Sequence, residues 1–238
     1  GAKPIFVDCD ERYQINVEEI KRVFTKKTKA ILPVHWGGAS PNMEAINKIA
    51  KRRGLIVIED ACMGIGAKIH GKSPGTFGLV GAYSMHPLKS LNVMGDGGMV
   101  VTNNQSIYKW MLKYRNHGMV DRDNIDFWGV NYRIQPLQAI VAMDCLKRLD
   151  KVIKIRNKNA KFYDSHLKNL KPFIEIPKRP KGYMETYALY MVLCKKRDQP
   201  QEFLKKNKIE CKVHYPIPLH LQKASKQYGY RKGMFPIA

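Results

Sequence analysis

The sequence predicts an α/β protein with a mostly parallel sheet in a large domain, residues 1 to 150, and a small α+β domain, residues 151 to 238. Three observations carry this. Short apolar runs alternate with amphipathic stretches through the first half, the order of strand and helix in an α/β layer. A long helical pattern with few breakers runs from Leu137 to about Leu170. After the Pro-rich turn Ile176 to Gly182, new strand-like runs begin, which puts the domain junction near residue 150.

Five strands are expected in the first half: Pro4 to Asp8, Ala30 to His35, Leu55 to Ala61, Gly81 to Met85 and Gly98 to Thr102. Between the second and third, Asn42 to Arg53 sets Met43, Ile46, Ile49 and Ala50 on one stripe at helical spacing. Asn16 to Phe24 does the same with Val17, Ile20, Val23 and Phe24. In the second half, Tyr187 to Cys194 and Ile209 to Tyr215 read as strands, with a helix from Gln199 to Asn207 between them. The chain opens without Met and stops just after Gly233-Met234-Phe235-Pro236, so a fragment of a longer protein is expected.

Composition narrows the class. The 44% hydrophobic content suits a packed core, and no apolar run approaches the length that crosses a bilayer. The start, GAKPIFVDCDE, lacks the order of a signal peptide, so a soluble cytoplasmic protein is expected. The cysteines, Cys9, Cys62, Cys145, Cys194 and Cys211, are odd in number and without CxxC spacing. They read as buried free thiols, with no disulfide framework and no metal site. A net charge of +22 raises nucleic-acid binding. The basic residues are spread over nearly every segment and no nucleic-acid-reading motif accompanies them, so that class is set aside. The same field attracts a negatively charged small substrate.

Ligands of open α/β sheets gather at the carboxyl ends of the strands. Asp60 stands there, after the apolar run LIVIE and before the small residues Ala61, Cys62, Gly64 and Gly66. A helix N-cap is an equally good reading of that carboxylate. Lys89 follows a strand that ends in Ser84 and precedes the glycine turn at Gly95, Gly97 and Gly98. Most lysines in such a chain are solvated surface groups. Burying a lysine to free its amine at neutral pH is costly, and Schiff-base formation is the usual reason to do so.

These residues lie in motifs that resemble the DegT/DnrJ/EryC1/StrS family of sugar aminotransferases. The motifs are GAKPIFVDCD at 1 to 10, PVHWGG at 33 to 38, IEDAC at 58 to 62 and YSMHPLKSLNVMGDGGMVVT at 83 to 102. RNHG at 115 to 118, NYRIQPLQA at 131 to 139 and HYPIPLHLQ at 214 to 222 continue the series. Each is weak alone, whereas their order and spacing together are specific.

The resemblance implies the large domain of fold type I pyridoxal-phosphate enzymes, a mostly parallel seven-stranded sheet flanked by helices. Lys89 would then carry pyridoxal 5'-phosphate as a Schiff base, Asp60 would pair with the pyridine nitrogen, and Ser84 would donate to the phosphate. His86 and Pro87 would shape the loop that presents Lys89. Asn131 matches an asparagine that reaches a partner's cofactor phosphate, which implies a homodimer. Arg133 is a substrate or structural cation, and His214 and Tyr215 are candidate substrate contacts. The implied reaction moves an amino group from a donor such as glutamate to a nucleoside-diphosphate keto-deoxysugar, for polysaccharide synthesis.

Three departures stand against the family pattern. Met63 occupies a cofactor-contact position where Gln or another polar residue is usual, and Ala188 stands where a histidine is common. The family's N-terminal segment, with a Gly-Thr phosphate cup and a stacking aromatic, would lie before Gly1. Two further readings follow from the resemblance: a binding or regulatory relative that keeps the fold without turnover, and a sugar-nucleotide dehydratase. The dehydratase branch carries histidine in place of the lysine, so Lys89 weighs against it.

Overall fold

A computed structural model describes residues 1–238. Its central sheet has four strands in the order β1, β2, β4, β5. The strands are β1 (Ala30–Ile31), β2 (Ile56–Asp60), β4 (Val80–Ser84) and β5 (Gly98–Val101), and β3 (Lys68–Ile69) lies outside the sheet. β1, β2 and β4 run parallel and β5 closes antiparallel on β4. This sheet has four strands, where the resemblance implies seven.

The helices form for local reasons and then bury one face. In α2 (Met43–Arg53), Asn42 Oδ1 accepts the Ala45 N–H at 3.0 Å and Gly54, at φ 63°, ends the helix left-handed. Glu44 sits in the first turn and Lys51, Arg52 and Arg53 in the last, the charge order that the helix dipole favours. Its inner stripe packs Met43, Ile46 and Ala50 against Ile31 and Val57 of the sheet and Ile20 of α1 (Val17–Val23). Each of the larger side chains among these, Met and Ile or Val, contributes roughly 1.5–3 kcal/mol on burial.

A third helix, α3 (Gln105–Tyr114), has no counterpart among the expected elements. It is capped by Asn104, whose Oδ1 accepts the Ile107 N–H. It buries no residue fully. The long pattern after Leu137 is the 32-residue helix α4 (Pro136–Leu167). The expected junction near residue 150 falls inside it. Its Leu149 and Ile153 pack with Met85, Leu91 and Val93 of the sheet-end loops. One turn later, Arg156 and Asn157 donate to the carbonyls of Tyr187 and Glu185.

Several expected strands do not form. Pro4 to Asp8 joins no sheet, because Asp10 folds the chain back by accepting the N–H groups of Arg12 and Gln14. Ala30 to His35 is cut after Ile31, where Pro33 lacks an N–H, and resumes as a single bridge from Val34 to Asp60. In Tyr187 to Cys194 only β8 (Leu193–Cys194) is a strand, paired with β6 (Ile174–Glu175). Thr186 and Leu189 instead give their N–H groups to the carbonyls of Gly38 and Gly37. Ile209 to Tyr215 has no strand partner, and Tyr215 turns left-handed at φ 53°. β7 (Tyr183–Met184) pairs with β3, and α5 (Asp198–Lys206) matches the last expected helix. No helix is long and apolar enough to cross a membrane.

Ile46 is fully buried between α2 and the sheet. Ile46→Ala is expected to destabilise the protein by about 2–5 kcal/mol, read as a lower urea midpoint with unchanged slope. A loss under ~1 kcal/mol would mean that this face is not core.

Candidate active site

Parallel pairing brings the carboxyl ends of β2 and β4 side by side, with Asp60 opposite Ala82 and Ser84 ending the neighbouring strand. After Ser84 the chain turns through His86-Pro87-Leu88-Lys89, closed by the Lys89 N–H to the His86 carbonyl at 2.8 Å. Ser84 Oγ accepts the His86 N–H at 3.3 Å, and His86 Nδ1 accepts that of Leu88 at 3.2 Å. His86 therefore shapes the turn. The glycine turn behind it is anchored by Met85, whose N–H donates to the Gly97 carbonyl while its carbonyl accepts from Val93.

Asp60 and Lys89 meet electrostatically at Cys62. Burial pushes the Cys62 thiol up to about 12, a hydrogen bond to Asp60 and its charge add to this, and the Lys89 ammonium pulls the other way. The carboxylate and the amine therefore act on one thiol at one strand edge. Asp60 Oδ1 accepts the Cys62 N–H at 3.0 Å, while Oδ2 takes no N–H. All five cysteines are free, and they are half-buried rather than buried.

The remaining sequence candidates form separate groups. Met63 lies between two segments, its Sδ accepting the Gly37 N–H at 3.4 Å and its carbonyl accepting the Thr186 hydroxyl at 3.0 Å. Asn131 Oδ1 accepts from Arg133 Nε at 2.9 Å, and Arg133 also donates to Asn116 Oδ1 at 2.9 Å. Neither Asn131 nor Arg133 hydrogen bonds to Asp60, Ser84 or Lys89. His214 and Tyr215 pack against Trp36 as tilted rings, with centroids 5.0 and 5.6 Å away. Trp36 follows the Val34 bridge to Asp60, so this aromatic group begins two residues from the β2 edge.

Sequence reasoning assigned no role to Glu59, His35 or Ser40. Glu59 is fully buried and accepts from His35 Nε2 at 2.9 Å and from the N–H groups of Gly75, Phe77 and Gly78 at 2.7, 2.6 and 2.5 Å. Burial pushes its carboxyl up, but the His35 contact and these N–H groups outweigh that and hold it below the usual carboxylate range. The signal was present in LIVIE, where strand alternation puts Glu59 on the same buried face as Val57.

The DegT/DnrJ/EryC1/StrS aminotransferase family matches residues 1–238. The chain belongs to this family. It is similar to the pleiotropic regulatory protein of Geobacillus stearothermophilus, 39% identical over all of this chain and 64% of that protein. It is also similar to the UDP-N-acetyl-3-dehydro-alpha-D-glucosamine 3-aminotransferase of Acidithiobacillus ferrooxidans, 36% identical over 94% of this chain and 60% of that one. Among solved structures, S. venezuelae DesV in complex with a ketimine intermediate superposes with a TM-score of 0.95 at 32% identity, covering all of this chain and 64% of that one. The chain thus spans less than two thirds of these relatives, and its architecture is the fold type I of the family.

The residues present suit the cofactor that family resemblance implies. Asp60 Oδ2 is an acceptor free of N–H partners, the Ser84 hydroxyl donates to no protein group, and Ser90 Oγ beside Lys89 is buried without a partner. An acceptor, a hydroxyl donor, an amine and an orphaned buried hydroxyl are groups that a protonated pyridine, a phosphate and a carbonyl can satisfy.

Two outcomes follow from the electrostatics. Because the thiolate is the nucleophile, iodoacetamide near pH 8 is expected to label Cys62 about 100-fold more slowly than a free cysteine, read by peptide mass spectrometry. Labelling at the free-thiol rate would contradict its placement. The lowered carboxyl of Glu59 contributes stability that is present above its unfolded-state range and lost as pH falls through the lower folded-state value. Glu59→Gln is expected to flatten that acid-side slope in urea titrations, and an unchanged slope would assign it to other carboxylates.

Proposed function

We propose that the protein is a pyridoxal-phosphate-dependent aminotransferase that converts a nucleoside-diphosphate keto-deoxysugar to an amino sugar, with glutamate as amino donor. What supports this is that Asp60 and Ser84 end neighbouring strands at one edge and the Lys89 turn follows directly from Ser84, in a chain of this family. The Acidithiobacillus relative, an aminotransferase by name, supports a nucleotide-linked sugar as substrate. The protein is read as a cytoplasmic homodimer, Asn131 and Arg133 serving the partner's site, since they lie apart from Lys89 within one chain.

Bound pyridoxal phosphate supplies a carbonyl that exchanges with amines and a ring that accepts electrons. Lys89 Nζ would hold the cofactor through its carbonyl carbon, and as a free amine it would serve as the general base for the donor's α-proton. Asp60 Oδ2 would accept the ring N–H and keep that proton in place. The hydroxyls of Ser84 and Ser90 would donate to the phosphate. Met63 offers a soft sulfur contact instead of an amide, and Trp36, His214 and Tyr215 supply an aromatic wall for the sugar nucleotide. With no amide at Met63, the orientation of the ring rests on Asp60.

A regulatory relative without turnover is the second reading, supported by the name of the Geobacillus protein. One assay separates the two. The full-length protein incubated with pyridoxal phosphate and then borohydride is expected to carry the label on Lys89 and to transfer an amine from glutamate to a keto-deoxysugar nucleotide. Lys89→Ala is expected to lose the label and at least ~100-fold in rate, with stability within about 0.5 kcal/mol, since Lys89 is half-exposed. Label on Lys89 without amine transfer would favour the regulatory reading, and label elsewhere would sink both.

A further inference from the structure

We propose that Glu59 and His35 are a positioning pair that aims the carboxylate of Asp60 at the ring nitrogen of the cofactor. The inference rests on the reading of Asp60 given above and adds Glu59, on the opposite face of the strand, and His35, from the segment beside it.

The geometry is that of a clamp around two consecutive residues of β2. Burial alternates along the strand, so that Val57 and Glu59 face inward while Ile58 and Asp60 face the other side. His35 grips both of the last two residues. Its ring Nε2 meets Glu59 Oε2 at 2.9 Å, and its backbone N–H donates to the Asp60 carbonyl at 2.9 Å. From the same segment, the Pro33 carbonyl accepts the Asp60 N–H at 2.9 Å. The imidazole is itself pinned, with Nδ1 3.0 Å from Ser40 Oγ, and both His35 and Glu59 have no exposed side-chain surface.

A buried carboxylate is a costly way to fill a strand face, because desolvation opposes it and an apolar side chain of similar volume would pack as well. Here it gathers four donors from two segments: Gly75, Phe77 and Gly78 on one side, and His35 on the other. Those segments flank the strand end that carries Asp60. Loosening either lets the backbone at residue 60 rotate, and a carboxylate that must accept a charged N–H loses strength steeply with misalignment. A merely structural Glu59 would act on the whole fold. A positioning Glu59 acts on one atom of the ligand, the ring nitrogen.

That difference defines the test. Dissociation constants of the full-length protein are measured by absorbance titration for pyridoxal phosphate and for its analogue in which carbon replaces the ring nitrogen. Wild type is expected to prefer pyridoxal phosphate by roughly tenfold or more, the scale of a charge-assisted hydrogen bond. Glu59→Gln is expected to cut that preference below about threefold, with the analogue's own affinity nearly unchanged. His35→Ala, which leaves Glu59 its three backbone donors and so guards against an unfolded Glu59 variant, is expected to do the same. Equal weakening of both ligands, or an unchanged preference, in the folded variants would overturn the positioning role. A wild type that binds both ligands equally, or neither, would overturn the Asp60 reading and this inference with it.

Discussion

The register of β2 against β4 is the constraint on which the site depends. Pairing Asp60 with Ala82 puts Ser84 and the Lys89 turn beyond the same edge that presents the Asp60 carboxylate. A shift of one residue would exchange the faces of the strand. Glu59 would then point where Asp60 now points, and Asp60 would be driven into a face that Val57 defines as buried. Chemistry at this edge is thus decided by a parallel pairing that no local interaction at Lys89 can impose.

The register is held by close backbone approach as well as by the ladder. A side chain at Gly81 would overlap the carbonyl of Gly75, so β4 can lie against the 74–78 loop only with glycine there. That loop gives three N–H groups to Glu59, and its Pro74 carbonyl accepts the Tyr83 hydroxyl. Packing space and polar satisfaction therefore point to one alignment. The buried charge adds specificity that hydrophobic contacts between Val57 and its neighbours lack.

What the sequence could convey follows from the range of the forces involved. Helices such as α2 were legible because cap, periodicity and charge order lie within one segment. β2 and β4 were legible as apolar runs ending in Asp60 and Ser84, and the candidate residues there fall at one edge. Tyr187 to Cys194 was misread because YALYMVLC has strand propensity, while Gly37 and Gly38 offer carbonyls that Leu189 and Thr186 take instead. Pro4 to Asp8 failed for a similar reason, its Phe6 N–H going to the Tyr230 hydroxyl. Propensity describes a strand's fitness for pairing, whereas the partner is set by the tertiary fold. Glu59 was overlooked because one acidic residue in an apolar strand has meaning only when the three N–H groups and the imidazole that meet it are known.

The C-terminal segment is joined to the β2 edge through its main chain. Gly38 at φ 92° brings its carbonyl to the Thr186 N–H, and a Cβ there would fall on the Thr186 hydroxyl, which in turn donates to the Met63 carbonyl. Behind this contact, Glu185 is nearly buried between Arg12 and Arg179, at 3.4 and 3.1 Å, and Arg179 also meets Asp164 of α4. Burial raises the Glu185 carboxyl, and the two guanidinium groups oppose that rise. Such a network adds little net stability over apolar packing, but removing one member leaves an uncompensated charge. Its value lies in direction. It fixes where the 185–191 segment sits on Trp36, Gly37 and Met63, so the position held by Met63 is set from both ends of the chain. A family position usually filled by a polar side chain can therefore carry a thioether and still be held in place, because its main chain and its sulfur are tied to two separate segments.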